Sequence, residues 1–380
     1  MKKLLIVGVL GLVLLEIANV YFIMPMPGSQ RMRSVDAAYT IYRWRWTLRL
    51  LFGAIALAGG IATWRTGGRR RWLVPASLAL VGAVAYVVNF RMAADQMFRQ
   101  PHVLDMRPAA QNTVAGDRLV VGVALNGEAR AYPLNFLGYH HQVRDSVGGQ
   151  PVLVSYCTVC RTGRVFSPTT KGGTEDFRLV GMDHYNAMLE DGRTGSWWRQ
   201  ANGEAITGTR KGEMLVEIPR LQVTLKEWLA VHPNSLVMQG DPAFTTEYAK
   251  DYAFEKGTSR KTLTGTDTLS WRDKSWVVGL TLNRRSKAYD WNRLKRERVV
   301  NDIVGTTPIV LVLAADSASF YVYQRPDATT QFTLRGDSLV AGGRSYALSG
   351  RGVRDSLVVV NASQEFWHSW REFQPSTERY

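Results

Sequence analysis

Two stretches of this 380-residue chain read alike. Val120–Pro151 is VVGVALNGEARAYPLNFLGYHHQVRDSVGGQP, and Val277–Pro308 is VVGLTLNRRSKAYDWNRLKRERVVNDIVGTTP. At a constant offset of 157 they share 14 of 32 residues without a gap. Gly122, Asn126, Ala131, Tyr132, Asp145, Gly148 and Pro151 meet Gly279, Asn283, Ala288, Tyr289, Asp302, Gly305 and Pro308. A looser echo follows, LKEWLAVHPNS from Leu225 against QEFWHSWREFQPS from Gln364. Self-similarity at this spacing predicts a tandem duplication, each copy one folding unit. The expected boundaries are 99–245 and 246–380.

Within one copy the local signals are mostly those of strands. Val120–Leu125 and Ala129–Leu134 flank Asn126-Gly127, a dipeptide that supplies two positive-φ residues to a tight hairpin. Ser146–Gln150 reads as a turn and Pro151–Tyr156 as a short buried strand. Arg164–Phe166 and Phe177–Val180 are expected strands. Thr224–His232 reads as a helix, with Thr224 at the cap, Glu227 completing a capping box and Pro233 just beyond. The expected architecture is a β-rich α+β region made of two related copies.

Three apolar segments precede it. Leu4–Met26, Arg49–Trp64 and Trp72–Phe90 are read as transmembrane helices. The first carries Lys2 and Lys3 at its start but lacks an A-x-A cleavage pattern, so it reads as an uncleaved anchor. Glu16 and Asn19 lie inside it. An intramembrane carboxyl is a candidate functional group, and a bond to a neighbouring helix is its simplest use. Lys2, Lys3 and the tight Arg65–Arg71 loop favour a cytoplasmic N-terminus, with everything beyond about Phe98 on the far side of a bacterial inner membrane, in the periplasm. The loop Gln30–Leu48 would then face outward, its Arg and Trp/Tyr residues lying on the membrane surface.

Charge placement excludes one function class. The formal net charge is +15. Residues 1–98 hold 12 Lys/Arg against 3 Asp/Glu, and the rest of the chain holds 35 against 29. The excess therefore flanks the apolar segments, where lipid headgroups are the natural partner. No nucleic-acid motif accompanies it, so the expected partners are the bilayer and a redox or metal partner protein, not nucleic acid.

The chemistry concentrates in the first copy. Its only cysteines form Cys157-Thr158-Val159-Cys160, between two strands. At the offset of 157, Cys157 meets Ala314, Cys160 meets Ser317, His140 meets Glu297 and His141 meets Arg298. Scaffold residues persist where these reactive ones are replaced, the pattern of a site present in one copy only. The segment after Cys160 reads as a turn with Gly163, not as the helix N-terminus that lowers a thiol pKa in thioredoxin-like motifs. Three readings stay open. In the first, Cys157 and Cys160 cycle between dithiol and disulfide, with His140 as proton donor or tuning neighbour. In the second, Cys157, Cys160 and His140, with Met188 or His184, bind a copper or zinc ion for delivery. In the third, the protein is a non-catalytic scaffold. Trp197 and Trp198, in a segment without counterpart in the second copy, are read as core packing or as the wall of a pocket.

The run from Val121 to Phe166, with GVALNGEARAYPL, His140 at the end of a short helix, and VRDSVGGQPVLVSYCTVC, resembles the bacterial and archaeal family called domain of unknown function 3179. The resemblance covers about Pro101 to Asp241. It places His140 on the family's histidine and Cys157 and Cys160 on its cysteine pair. It also places Met188, Asp191, Thr194, Ser196 and Trp197 on a later family stretch. Some members carry selenocysteine at the pair, which implies a reactive rather than structural position. Members usually have a small or proline-containing dipeptide inside the pair and a Ser or Gly soon after it; here the pair encloses Thr158-Val159 and is followed by Arg161. The three spans and the second copy lie outside the family's core pattern as the sequence conveys it.

Overall fold

The computed structural model describes residues 2–66 and 68–380. Gly67, within the expected Arg65–Arg71 loop, lies outside the described residues. The chain divides into two compact units.

The first unit comprises residues 1–99 together with 176–199 and 204–213. Its helices are α1 (Lys2–Tyr21), α2 (Val35–Thr66) and α3 (Leu73–Tyr86), the last continuing through one wider turn to Arg91. With that extension, all three are long and apolar enough to cross a membrane. Helix α2 begins at Val35, so most of the expected surface loop Gln30–Leu48 is helical and continuous with the second apolar segment. Glu16 is bonded to neighbouring helices. Arg49 grips its carboxylate with two bonds of 2.6 and 2.7 Å, and Asn89 from the third helix donates to it at 3.0 Å. A carboxylate away from water needs such a partner, and a two-pronged guanidinium is the strongest one available.

The strands Phe177–Asp183, Asn186–Asp191 and Trp197–Arg199 form a small antiparallel sheet in this same unit. Met182 N–H donates to Ile23 O at 2.7 Å, Arg178 pairs with Asp95 at 2.9 Å, and the Trp197 ring meets Tyr39 edge-on. The segment without counterpart in the second half therefore packs with the apolar helices.

The second unit holds residues 100–175, 200–203 and 214–380. After a short edge strand, Met106–Pro108, come β1 (Leu119–Leu125) and β2 (Glu128–Pro133), joined at Asn126 and Gly127 with φ of 48° and 83° as the dipeptide requires. Then come α4 (Leu134–His140), β3 (Gln142–Val147), β4 (Gln150–Cys157) and β5 (Thr162–Phe166). Strand β6 (Leu221–Thr224), α5 (Leu225–Val231) and β7 (Leu236–Met238) complete this half. Thr224 Oγ1 accepts the Glu227 N–H, so the expected cap is in place. The other half runs β8 (Trp276–Leu282), β9 (Arg285–Asp290), α6 (Trp291–Glu297), β10 (Val299–Val304), β11 (Thr307–Leu313), β12 (Phe320–Gln324), β13 (Ser363–Phe366), α7 (Trp367–Phe373) and β14 (Glu378–Arg379).

The two halves have the same order and the same register. Val120 pairs with Pro133 in one and Val277 with Asp290 in the other. The sheets run β7-β2-β1-β6, with the strand Met106–Pro108 added at the β7 edge, and β14-β9-β8-β13. Apolar positions coincide: Val121, Val123, Tyr132 and Leu137 form one core, Val278, Leu280, Tyr289 and Leu294 another. Gly122 and Gly279 are glycine for one reason. A Cβ on either would come within 2.3 Å of an indole, Trp228 or Trp370. Each indole N–H then donates at 2.8 Å to a hydroxyl seven residues on, Ser235 or Thr377.

The halves also exchange contacts. Val223 and Leu225 of the first half share a core with Val310 and Tyr321 of the second. In return, Phe366 N–H, at the β13–α7 corner, donates to Cys160 O at 2.8 Å. Each half thus presses its strand-to-helix corner on the hairpin end of the other.

Candidate functional site

Cys157 is the last residue of β4, and Cys160 lies in the four-residue turn 158–161 before β5. Arg161 takes a left-handed φ of 58° to close the turn, and Gly163 lies within β5 rather than in the turn. The cysteines lie 3.7 Å apart without a disulfide, and both are 0% exposed. No helix starts at either residue, so the pair lacks the geometry of a thioredoxin-like motif. Burial instead pushes the Cys160 thiol well up, and the adjacent Cys157 adds to this.

The polar surroundings of the turn come mostly from the other half. Ser369 on α7 hydrogen-bonds Cys160, and its hydroxyl donates to Glu365 Oε2 at 3.1 Å. Glu365, 1% exposed on β13, accepts from Arg164 at 2.6 Å and from Thr162 Oγ1 at 3.0 Å. Arg164 also bonds Glu217 at 3.1 Å, and Arg220 pairs with Glu217 at 2.9 Å. His368 Nε2–H donates to Val159 O at 3.2 Å, and burial lowers its pKa to about 4. Lys274 lies within electrostatic reach of Cys160. Arg161 is fully buried over the Trp276 ring at 3.6 Å and donates to the Phe254 and Glu255 carbonyls. A buried carboxylate with three donors and a hydroxyl against a thiol can receive, hold and return a proton.

The histidines take different places. His140 ends α4, the helix on which a Cβ at Gly138 would lie 3.3 Å from Thr158 of the turn. Its Nε2 engages Tyr248 Oη at 2.8 Å, and its ring meets Tyr139 and Phe244. His141 is the left-handed residue that ends α4, and Arg298 takes that position in the other half with nearly the same φ. Its Nδ1–H donates to Tyr139 O at 3.1 Å, and burial lowers its pKa to about 4. Among the described residues, no three His, Cys, Asp or Glu side chains are grouped to hold a metal ion. The ligand set expected for copper or zinc, Cys157 and Cys160 with His140, is therefore not gathered.

Met188 and His184 belong to the first unit, where Met188 sits in a strand opposite Gly181 and Arg199. His184 Nδ1 bonds Asp183 at 2.6 Å, and Arg199 holds the other oxygen of that carboxylate. The later Asp/Thr/Ser/Trp stretch is a packed turn. Asp191 accepts from Thr194 N at 2.6 Å and from the Trp198 indole at 2.9 Å, and Trp197 donates to Glu190 at 2.9 Å. These bonds make both tryptophans part of the packing of that unit.

A family model described as a protein of unknown function, DUF3179, matches residues 99–377. The chain belongs to the DUF3179 family. The match continues well past Asp241 and takes in both halves of the second unit, so the DUF3179 pattern includes the second half that the sequence resemblance left out. No curated protein and no solved structure matches the chain.

Reading the sequence for Cys, His and Met missed Glu365, Ser369, His368 and Lys274. A signal for one of them was present. The strand registers align β13 with β6 at an offset of 142, so Glu365 stands where the first half has Val223. A carboxylate in place of a buried valine is the mark of a polar site.

Proposed function

We propose that this DUF3179 member is a membrane-anchored thiol–disulfide redox protein in which Cys157 and Cys160 interconvert between dithiol and disulfide. The observation that carries this is the pair itself, 3.7 Å apart at a hairpin end and surrounded by buried groups able to handle protons. A disulfide needs its sulfurs at about 2.0 Å, a closure that rotation within one turn can make. In the oxidising direction, both thiols react with an external disulfide R–S–S–R. The protein disulfide forms, the external one breaks, and two electrons and two protons leave as two R–SH. The cover of the pair favours a low-molecular-mass disulfide. On this reading His140 tunes the pair from the end of α4, its Nε2 occupied by Tyr248.

The anchor reading rests on the three apolar helices and on Lys2, Lys3, Arg69, Arg70 and Arg71. It puts the N-terminus in the cytoplasm and the redox unit in the periplasm, where thiol–disulfide exchange is favoured. Protease added to spheroplasts should then remove the region beyond residue 98, and resistance to digestion would reverse the orientation. The matching registers and cores support a tandem duplication with copies at 99–245 and 246–380, only the first keeping the cysteines.

The test uses the full-length chain in detergent, because residues 176–199 and 204–213 pack with the helices. The protein is equilibrated across glutathione ratios, its thiols are trapped, and the products are weighed by mass spectrometry. A reversible two-electron transition, absent in Cys157→Ser and Cys160→Ser, is expected. A pair that stays reduced at every ratio, or a potential below the structural-disulfide range near roughly −300 mV, would overturn the reading.

A further inference from the structure

Cys160 is joined by hydrogen bonds to a buried acid through a single hydroxyl, and the acid and the hydroxyl both come from the half without cysteines. Cys160 bonds Ser369, Ser369 donates to Glu365 at 3.1 Å, and Glu365 is fixed by Arg164 and Thr162. Ser369 and Glu365 are 0% and 1% exposed, so water does not compete for these bonds. Arg164 keeps Glu217 as a second counter-ion, so a proton arriving on Glu365 does not leave the guanidinium without a carboxylate.

We propose that Ser369 and Glu365 form the proton relay that activates Cys160, making Cys160 the cysteine that attacks. This inference rests on the thiol–disulfide reading above. The Cys160 S–H proton passes to Ser369 Oγ as the Ser369 O–H proton passes to Glu365 Oε2. The products are a Cys160 thiolate that accepts a hydrogen bond from Ser369 and a neutral Glu365, so atoms and charge balance. The thiolate attacks one sulfur of the external disulfide, forming a mixed disulfide and releasing the first R–S⁻, which takes up the proton held by Glu365. Cys157 then attacks Cys160 sulfur, closing the protein disulfide, and its proton leaves with the second R–S⁻. Ser369 touches the reacting sulfur, and Glu365 acts through it. The opposite corner shows what the position is otherwise: Val223 and Glu227 stand where Glu365 and Ser369 do, facing a hairpin with Ala314 and Ser317.

The test is the rate at which reduced full-length protein in detergent reacts with 4,4′-dithiodipyridine from pH 5 to pH 10. Ser369→Ala and Glu365→Gln should each slow the reaction at least tenfold near pH 7. The gap should narrow toward pH 10 as hydroxide takes over deprotonation. Ser369→Thr, which keeps the hydroxyl, should recover most of the rate. Wild-type rates in Ser369→Ala at every pH would overturn the relay, as would an equal loss at all pH values. If Ser369→Ala does not fold, Glu365→Gln and Ser369→Thr carry the same comparison. The two ideas fail separately: a wild-type pair that never forms a disulfide sinks the redox reading, whereas normal cycling unaffected by either variant sinks only the relay.

Discussion

The two hairpin ends of the second unit are built alike and filled differently. At one, Cys157, Cys160, Thr162 and Arg164 meet the corner that carries Glu365 and Ser369. At the other, Ala314, Ser317, Ser319 and Tyr321 meet the corner that carries Val223 and Glu227. The ion pair Arg164–Glu365 has Tyr321 and Val223 as its counterpart, two members of one apolar core. Main-chain geometry is common to both ends: the His141 carbonyl accepts Tyr156 N–H at 2.8 Å, and the Arg298 carbonyl accepts Leu313 N–H at 2.9 Å. Burying a charge network where an apolar contact suffices lowers stability. Its presence beside the cysteines is thus better explained by chemistry than by folding.

Transplanting the apolar solution should produce the largest effect. Glu365→Val removes the acceptor shared by Arg164, Thr162 and Ser369; Arg164 keeps Glu217, so the loss should fall at or below the low end, about 3 kcal/mol, of what an uncompensated buried charge costs. Thermal melting of the full-length protein in detergent measures it. A loss below about 1 kcal/mol would mean that the network is hydrated or loosely coupled, and the contrast between the two ends would lose its energetic basis.

What the sequence conveyed follows from the range of each interaction. The hairpin at Asn126-Gly127, the Thr224 cap and the three apolar helices depend on neighbours within a few residues, and all are present; the return bond of the capping box is not, because Thr224 N–H donates to Ser319 Oγ. The repeat was legible because core and turn positions tolerate little change, as Gly122 and Gly279 show. The site was legible only as far as its own hairpin. Glu365 and Ser369 reach Cys160 across about two hundred residues because the halves exchange corners, and periodicity carries no trace of that. His184 and Met188 were grouped with the cysteines as members of the same copy, yet they belong to the other compact unit.

The shared scaffold offers a matched control. Gly122→Ala and Gly279→Ala each drive a methyl into an indole ring at 2.3 Å, and overpacking of this kind costs about 1–3 kcal/mol. Both variants should lower the melting temperature by similar amounts, although only one sits in the half with cysteines. A loss confined to one variant would show that the two halves are not equivalent in packing.

Acid should separate the ends again. His141 and His368 both contact the cysteine hairpin or its supports, and burial lowers each pKa to about 4. Arg298 and Lys226, not histidines, stand at the matching positions of the other end. An unfolded histidine titrates near 6.5, so between about pH 6.5 and 4 the unfolded chain binds more protons than the folded one. Stability is therefore retained above that window and falls as pH drops through it. The slope is about 1.4 kcal/mol per pH unit for fully buried His141, and less for partly exposed His368. His141→Gln should flatten the melting temperature against pH more than His368→Gln does. An unchanged slope in both variants would place the acid sensitivity elsewhere.

The smallest effect tests whether the two indole bonds are as alike in energy as in geometry. Ser235→Ala and Thr377→Ala each remove the hydroxyl that accepts a Trp N–H at 2.8 Å. Ser235 is 0% exposed, so the Trp228 nitrogen is left buried without an acceptor, at a cost of about 1 kcal/mol or more. Thr377 is half-buried, and water can replace its oxygen beside Trp370, so that loss should be a few tenths of a kcal/mol. The two sites share no partners, and the double variant should equal the sum of the singles to within about 0.5 kcal/mol. A larger deviation would mean that the corners, although they press on opposite hairpins, unfold as one cooperative element.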